Sequence, residues 1–195
     1  MEVKIQNQIS EYFSFFDEFY NNAKESLKVC QNSAVSINKL IKRCNNVKIA
    51  DLTGTPLEDF EGLQNRLCAS LHNLISEDIE AIRKQLCKIE EFFEKLLNQH
   101  KKLTECCREV DFKQKTKLIC GSPFQPPLKE LLEFADDVVT FGSQICRQIE
   151  TALEVLAYKG LDAELVIDNF RISSDWRQRI PEIIAYTSFI QENQI

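Results

Sequence analysis

The stretch EDIEAIRKQLCKIEEFFEKLLNQHKKLTECCREV, residues 77–110, decides the fold class. Mostly apolar side chains recur along it at alternating steps of three and four residues: Ile79, Ile82, Leu86, Ile89, Phe93, Leu96, His100, Leu103, Cys107 and Val110. Because an α-helix has about 3.6 residues per turn, such a seam occupies one face of a single long helix. The spacing therefore predicts a helix of about 35 residues, roughly 50 Å long, with Ser76 as its N-cap.

Three further segments carry the same helical spacing. Residues 3–44 hold a heptad-like seam, and residues 128–156 hold another, in which Gly142 predicts a close helix approach or a local kink. Between them, Thr55-Pro56-Leu57-Glu58 has the pattern of a capping box with proline at the first helical position. It predicts a shorter second helix with one apolar side: Leu57, Phe60, Leu63, Leu67, Leu71 and Leu74.

The chain ends in a segment that begins after Gly160. Residues 161–171 predict a short helix or turn, and Ser174 can cap a turn through Trp176. Pro181 is expected at the first position of a closing helix over 181–193, because a proline inside a helix costs about 3 kcal/mol.

The resulting fold class is all-α: an elongated antiparallel helical bundle with long heptad-patterned helices and a short C-terminal helix. Only 5 glycines and 5 prolines occur in 195 residues, too few for the turns of an all-β fold. We expect one domain over 1–195. Residues 111–127, DFKQKTKLICGSPFQPP, concentrate glycine and proline, and predict a hinge between 1–110 and 128–195.

Charge and cysteine usage exclude several classes of protein. A net charge of −6 is untypical of nucleic-acid binders, which need Lys and Arg on one face. The N-terminal sequence lacks a basic segment followed by an apolar one, so the 8 cysteines are expected to stay reduced. No apolar run approaches the ~18 residues of a membrane span. We expect a cytoplasmic and nuclear protein that does not bind membranes.

Catalytic and metal-binding patterns are missing from the sequence. The two histidines, His72 and His100, are far apart, and His100 is expected to replace an apolar residue in the core or at its rim. Cys106 and Cys107 point about 100° apart on a helix, and no C-x2-C pair accompanies them. No phosphate-binding glycine loop or nucleophile motif occurs. We expect no catalytic residues, no metal, no cofactor and no direct small-molecule substrate, hence no enzyme.

The segment from Lys101 to Lys117 is locally basic, with six Lys or Arg against three acids. Two interpretations remain open. The segment is either a solvated helix end whose lysines favour the helix dipole, or an RNA contact.

The closing segment is the sequence's best prediction of a partner-binding surface. Its apolar strip is wider than one seam needs, so that one side can close the bundle while the other binds a partner protein. The predicted partner-binding residues are Trp176, Ile183, Ile184, Tyr186, Phe189 and Ile190.

Several segments in order resemble one known family. FYNNAKESLKVCQNSAVSINKL (19–40), NVKIADLTGTPLEDFEGLQNRL (46–67) and EDIEAIRKQLCKIEEFFEKLLNQH (77–100) resemble the first three helices of the AIRIM family, small helical ribosome-maturation factors. SPFQPPLKELLEFADDV (122–138) resembles the family's Ser-Pro segment before the fourth helix. DWRQRIPEIIAYTSFIQE (175–192) resembles its ending, a Trp with flanking charges before an aromatic helix.

The resemblance implies a function. Members of this family are non-catalytic subunits that work with two AAA-type ATPases and a second small helical protein. The assembly strips and recycles assembly factors from cytoplasmic precursors of the large ribosomal subunit, and a link to the replication machinery is attached to the family. The resemblance therefore implies an adaptor that contacts pre-ribosomal particles indirectly. The residues themselves fit a generic coiled-coil scaffold or tether protein equally well.

Overall fold

The structure, a computed structural model, describes residues 2–123, 125–157 and 163–192, apart from the side chains of residues 189, 191 and 192. Its helices are α1 (Glu2–Ile49), α2 (Leu63–Cys107), α3 (Lys117–Cys120), α4 (Leu128–Ala157), α5 (Glu164–Ile167) and α6 (Ser174–Glu192), with a 3-10 turn at Asp168–Phe170. Within these described residues no β-strand forms beyond one isolated bridge between Ser122 and Gln125. The predicted all-α helical bundle is confirmed.

The chain forms two compact units. The first unit comprises Met1–Glu25, Lys88–Arg147 and Ile172–Ile195, and the second unit comprises Ser26–Cys87 and Gln148–Arg171. Each of the long helices α1, α2 and α4 contributes one part of its length to each unit. Residues 111–127 all belong to the first unit, and the hinge there stays a prediction.

The first unit is an up-down-up-down bundle of four helical segments. Residue numbers rise on one helix as they fall on the next, which makes α1 antiparallel to α2, α2 to α4 and α4 to α6. The contacts that establish these directions are Gln8 with Gln99, Phe15 with Phe92, His100 with Asp136, Phe93 with Gly142, Phe141 with Trp176 and Phe134 with Tyr186.

Aromatic side chains fill the core of the first unit. The buried rings are Tyr12, Phe13, Phe16, Phe19, Phe134 and Phe141. Tyr12 places its hydroxyl in this core, where it donates to the carbonyl oxygen of Ala135 at 2.9 Å. Burial, with the nearby charge of Asp136, raises the pKa of Tyr12. The hydroxyl therefore stays neutral and serves as a buried hydrogen-bond donor that ties α1 to α4.

Gly142 lets α4 approach the rings of α1 and α2, as its seam position predicts. A β-carbon at this position would lie 2.5 Å from the Phe93 ring and 3.3 Å from Phe19 Cζ. Carbon atoms normally pack at about 3.5–4.0 Å, so that only glycine fits without moving the Phe93 ring.

Small side chains make up much of the core of the second unit. Cys30, Ala34 and Cys44 on α1 are buried, as is Cys68 on α2. Burial raises the pKa of Cys30 to about 12, so its thiol packs as a small apolar group. The cysteines of the described residues form no disulfide.

The predicted start of the second helix at residues 55–58 is wrong. The reciprocal capping-box bonds do not form, because the Glu58 and Thr55 amides donate to the carbonyl oxygens of Thr55 and Leu52. The two side chains accept from neighbouring amides instead, Thr55 Oγ1 from Leu57 at 3.3 Å and Glu58 Oε2 from Gly54 at 2.8 Å. They close a series of turns, and α2 begins only at Leu63. The reason is Gly62, whose φ of +68° lies outside the helical region and ends the turn series.

The predicted helix boundary at Ser76 is also wrong, because α2 runs unbroken from Leu63 to Cys107. The Ser76 hydroxyl donates to the carbonyl oxygen of His72 at 3.0 Å. A serine that bonds back to the residue four positions earlier is satisfied inside a helix and does not need to cap one.

Pro181 lies inside α6, not at its first position. The helix begins at Ser174, where the Arg177 amide donates to the Ser173 carbonyl at 3.0 Å. The side chains on either side of the proline, Ile180 and Ile183, are both fully buried. Burial of two such side chains contributes about 3–6 kcal/mol, which offsets the cost of about 3 kcal/mol of an interior proline.

The predicted short helix or turn over 161–171 forms in its described part as α5 and the following 3-10 turn. Gly160, Leu161 and Asp162 lie outside the described residues, as does the predicted end of the last helix at residue 193.

Candidate protein-interaction surfaces

The C-terminal helix α6 is buried along one continuous stripe of side chains. Its members are Ile180, Ile183, Thr187 and Ile190, all at most 3% exposed. Thr187 belongs to this stripe because its hydroxyl donates to the Ile183 carbonyl at 2.8 Å, which satisfies the polar group within the helix. The sequence predicts Ile183, Tyr186 and Ile190 on one side of α6 and Ile184 with Thr187 on the other. In the structure Thr187 shares the buried face with Ile183 and Ile190, whereas Tyr186 is exposed.

Trp176 stands at the start of this stripe. Its ring meets Phe141 edge to face, with ring centroids 5.6 Å apart and planes inclined by 64°. The indole nitrogen donates to Gln144 Oε1, so that the polar end of the ring is satisfied. The side chain is half-buried and keeps part of its surface accessible.

Arg179 organises the edge of α6 that faces α4. Its guanidinium donates to Asp137 Oδ2 at 2.7 and 2.8 Å and to Glu182 Oε2 at 2.8 Å. It also lies 4.9 Å from the centre of the Phe134 ring, a cation–π distance. The hydrogen bonds to Glu182 and Asp137 raise the pKa of Arg179, and these contacts hold the charge in one place at the surface.

Tyr186 extends the same edge. Its ring stacks on Phe134 with centroids 5.9 Å apart, while 48% of the residue remains exposed. Phe134 thus contacts both Arg179 and Tyr186, and connects an accessible aromatic side chain to the core of the first unit.

The six predicted partner-binding residues do not all share one surface. Ile183 and Ile190 are buried against the first unit at 0% and 3% exposure. Trp176 and Ile184 are half-buried and Tyr186 is exposed, whereas the side chain of Phe189 lies outside the described part of the chain. Accessible area therefore remains at Trp176, Ile184 and Tyr186, and their partner-binding role stays a prediction.

His100 occupies the rim of the first unit's core. Its Nε2 lies 3.0 Å from Asp136 Oδ1, and its ring centroid lies 5.9 Å from that of Tyr12. The helical seam predicts that His100 faces inward, but its partner on α4 can only be found from the packing of the helices.

The basic side chains of the segment 101–117 all point to solvent: Lys101, Lys102, Arg108, Lys113, Lys115 and Lys117. The short helix α3, capped by Thr116, lies at the end of this segment. Exposure is compatible with both interpretations of the segment, a solvated helix end or an RNA contact.

Among the described residues, no three His, Cys, Asp or Glu side chains are arranged to hold a metal ion. None of the described helices has both the length and the apolar character needed to cross a membrane.

A second accessible apolar surface lies in the second unit, and sequence reasoning did not predict it as such. Leu57, Phe60, Leu67 and Leu74, which the sequence places on one apolar side of a helix, are 47%, 57%, 45% and 44% exposed. Period alone cannot distinguish a seam buried within the chain from one left at the surface. The only sequence signal was the surplus of apolar positions in this part of the chain.

These features define an all-α helical protein with a rigid aromatic core and accessible apolar side chains in both units. A family model described as CA109-like, ribosome biogenesis protein C1orf109-like, matches residues 3–189. The chain belongs to this family of ribosome-biogenesis proteins, which is the AIRIM family that its motifs resemble. No curated protein and no solved structure is significantly similar to the chain.

Proposed function

We propose that the protein is a non-catalytic adaptor subunit of an AAA-ATPase assembly that matures cytoplasmic precursors of the large ribosomal subunit. In this role it helps the ATPase release and recycle assembly factors. The observation that carries the proposal is the family match over residues 3–189, which makes ribosome biogenesis the process. The two finer parts of the proposal, the partnership with an AAA-type ATPase and the action on the large subunit, depend on the resemblance of the individual segments to the family.

The structure supports an adaptor in two ways. The first unit is stiffened by interlocked rings, including the contact of Phe19 with Phe141 at 6.3 Å between centroids. An adaptor must hold its docking residues in place, and rigid aromatic residues lose little conformational entropy on binding. The second support is that α6 carries two accessible residues of this kind, Trp176 and Tyr186. Partly exposed Trp and Tyr side chains commonly dominate the energy of protein interfaces.

The proposed partners are two related AAA-type ATPases and a second small helical subunit. Pre-ribosomal particles would be contacted indirectly through the assembly, in the cytoplasm and the nucleus. We include in the same proposal the link to the DNA replication machinery that is attached to the family.

The test is affinity purification of the tagged full-length chain from cells, with quantitative mass spectrometry against an untagged control. We expect an AAA-type ATPase, a second small helical subunit and large-subunit precursor proteins to be enriched. Depletion of the protein should leave assembly factors bound to cytoplasmic precursors on sucrose gradients.

Failure to enrich any AAA-type ATPase or large-subunit precursor would refute the proposal. A stable long homodimer in light scattering, without these partners, would instead favour the coiled-coil scaffold.

A further inference from the structure

The second unit contains an unusual distribution of charge. Residues 26–49, the second half of α1, carry five Lys or Arg and no acidic residue in a chain with a net charge of −6. Residues 62–76, which include the start of α2, carry one Arg and again no acid. The two segments are therefore a basic region in an acidic protein.

These two segments pack against each other. Gln64 Nε2 donates to the carbonyl oxygens of Val47 and Ala50 at 2.9 and 2.7 Å. Further along, the Cys68 thiol donates to the Cys44 carbonyl at 3.8 Å. The basic side chains of α1 and the exposed leucines of α2 consequently lie on neighbouring helices of one unit.

A groove of about 350 Å³ lies on this pair of helices. Its lining residues are Arg43, Asn46, Val47, Leu67, Ser70 and Leu71. An adjoining groove, which shares Arg43, is lined by Ser36, Lys39, Leu40, Lys42 and Arg43. Leu74 continues the line of Leu67 and Leu71 one turn further along α2 and is 44% exposed.

The two adjoining grooves combine leucines of α2 with basic side chains of α1. Leu67, Leu71 and Leu74 follow one another at steps of four and three residues, so they form a stripe about 10 Å long on one face of α2. Lys39 and Arg43 are exposed one turn apart on α1. Lys42 is already paired with Glu164 at 3.3 Å, in a bridge whose two side chains are both 63% exposed.

We propose that this groove binds an acidic amphipathic helix of a partner protein. The leucine stripe matches the apolar face of such a helix, which presents side chains at the same spacing of three and four residues. Lys39 and Arg43 match carboxylates on the flank of the partner helix, and such charge complementarity favours the correct partner and speeds association. From Ser36 to Val47 the two grooves extend about 16 Å along α1, which accommodates about three helical turns.

An RNA ligand fits this surface less well. The described residues that line the groove include no aromatic ring on which a base could stack. Buried leucine contacts add affinity for a protein helix but little for an RNA backbone.

The test uses the purified full-length chain and a fluorescein-labelled synthetic peptide of 21 residues, with Leu on one helical face and Glu on its flanks. Binding is measured by fluorescence anisotropy. The control peptides carry Lys in place of Glu, or the same residues in an order without an apolar face. A single-stranded RNA of 20 nucleotides is titrated in parallel.

Two pairs of variants locate the site on the chain. Leu67→Ser with Leu74→Ser removes the exposed apolar stripe. Lys39→Glu with Arg43→Glu reverses the charge of the two basic side chains on α1. The matched controls are Leu97→Ser, another exposed leucine at 39%, and Lys84→Glu, an exposed lysine about 20 Å further along α2 than Leu71. Thermal unfolding followed by circular dichroism confirms that each variant folds; if the leucine pair does not, the charge pair decides.

We expect the Glu peptide to bind, and each site pair to weaken it about tenfold, as loss of about 1.4 kcal/mol requires. The control variants should change binding by less than twofold. Equal binding of the Lys peptide, no binding of the Glu peptide, or no effect of the site variants would overturn the proposal. RNA binding that is tighter than peptide binding and lost in the charge pair would assign the groove to RNA. The assay contains no ATPase, so its result is independent of the proposed adaptor role.

Discussion

Replacement of Gly142 by alanine provides a direct test of how the first unit is packed. The new β-carbon would lie 2.5 Å from the Phe93 ring, about 1 Å closer than a normal carbon contact. Such overpacking costs about 1–3 kcal/mol, whereas alanine in place of glycine favours a helix by about 1 kcal/mol. We therefore expect Gly142→Ala to destabilise the protein by about 1 kcal/mol.

The sign of this effect should reverse when the opposing ring is removed. In the Phe93→Ala background the contact at 2.5 Å is gone, and the remaining contact, with Phe19 Cζ at 3.3 Å, requires only a small shift. Gly142→Ala should then stabilise the helix by up to about 1 kcal/mol, which gives a coupling of about 2 kcal/mol between the two positions.

The assay is urea unfolding followed by circular dichroism for the wild-type chain, both single variants and the double variant. Ser143→Ala, at the exposed neighbouring position, is the control for helix propensity alone. If Gly142→Ala has the same effect with and without the Phe93 ring, the close approach of α4 to α2 is not what requires glycine, and the reasoning fails.

Three further predictions concern other parts of the chain. Trp176→Ala should lower the free energy of unfolding by about 2 kcal/mol, half the value for a fully buried ring, and should weaken the recovery of partners. Urea unfolding and pull-down together separate the two effects, and no change in either contradicts the prediction. Pro181→Ala should raise the unfolding free energy by about 1–3 kcal/mol, because it restores a helical hydrogen bond; unchanged or lower stability in urea would show that the proline fits without strain. Burial raises the pKa of Cys30 from 9.0 to about 12, so the native thiol keeps a proton that the unfolded thiol loses. Stability should therefore fall as pH rises from about 9 to 12, less steeply in Cys30→Ala, and identical pH profiles would contradict this.

Helix boundaries show where the sequence could be interpreted and where it could not. The seams of residues 3–44, 77–110 and 128–156 predicted three long helical segments, because burial of one face imposes a period of 3.6 residues that is visible in the residues themselves. The errors at residues 55–58, Ser76 and Pro181 all concern helix ends. Capping residues also occur in turns and inside helices, and neighbouring packing decides which structure forms.

The candidate surfaces were less predictable than the fold. The apolar character of α6 and its anchor Trp176 were evident from the sequence, whereas the burial of Ile183 and Ile190 depends on how the helices of the first unit pack. Arg179 was missed because its partner Asp137 is 42 residues away. The leucines of α2 were predicted on one apolar side of a helix, and the spacing of Leu67 and Leu74 did not show whether that side is buried or exposed.

The amino-acid sequence alone determined the all-α class, the family and the approximate positions of the long helices. These depend on local periodicity and on the order of segments, both of which are properties of the chain. Tertiary structure alone decided where the helices begin, which apolar side chains are buried, and that only glycine fits beside Phe93. Those properties depend on distances between residues far apart in the chain, and they are established only when the helices pack.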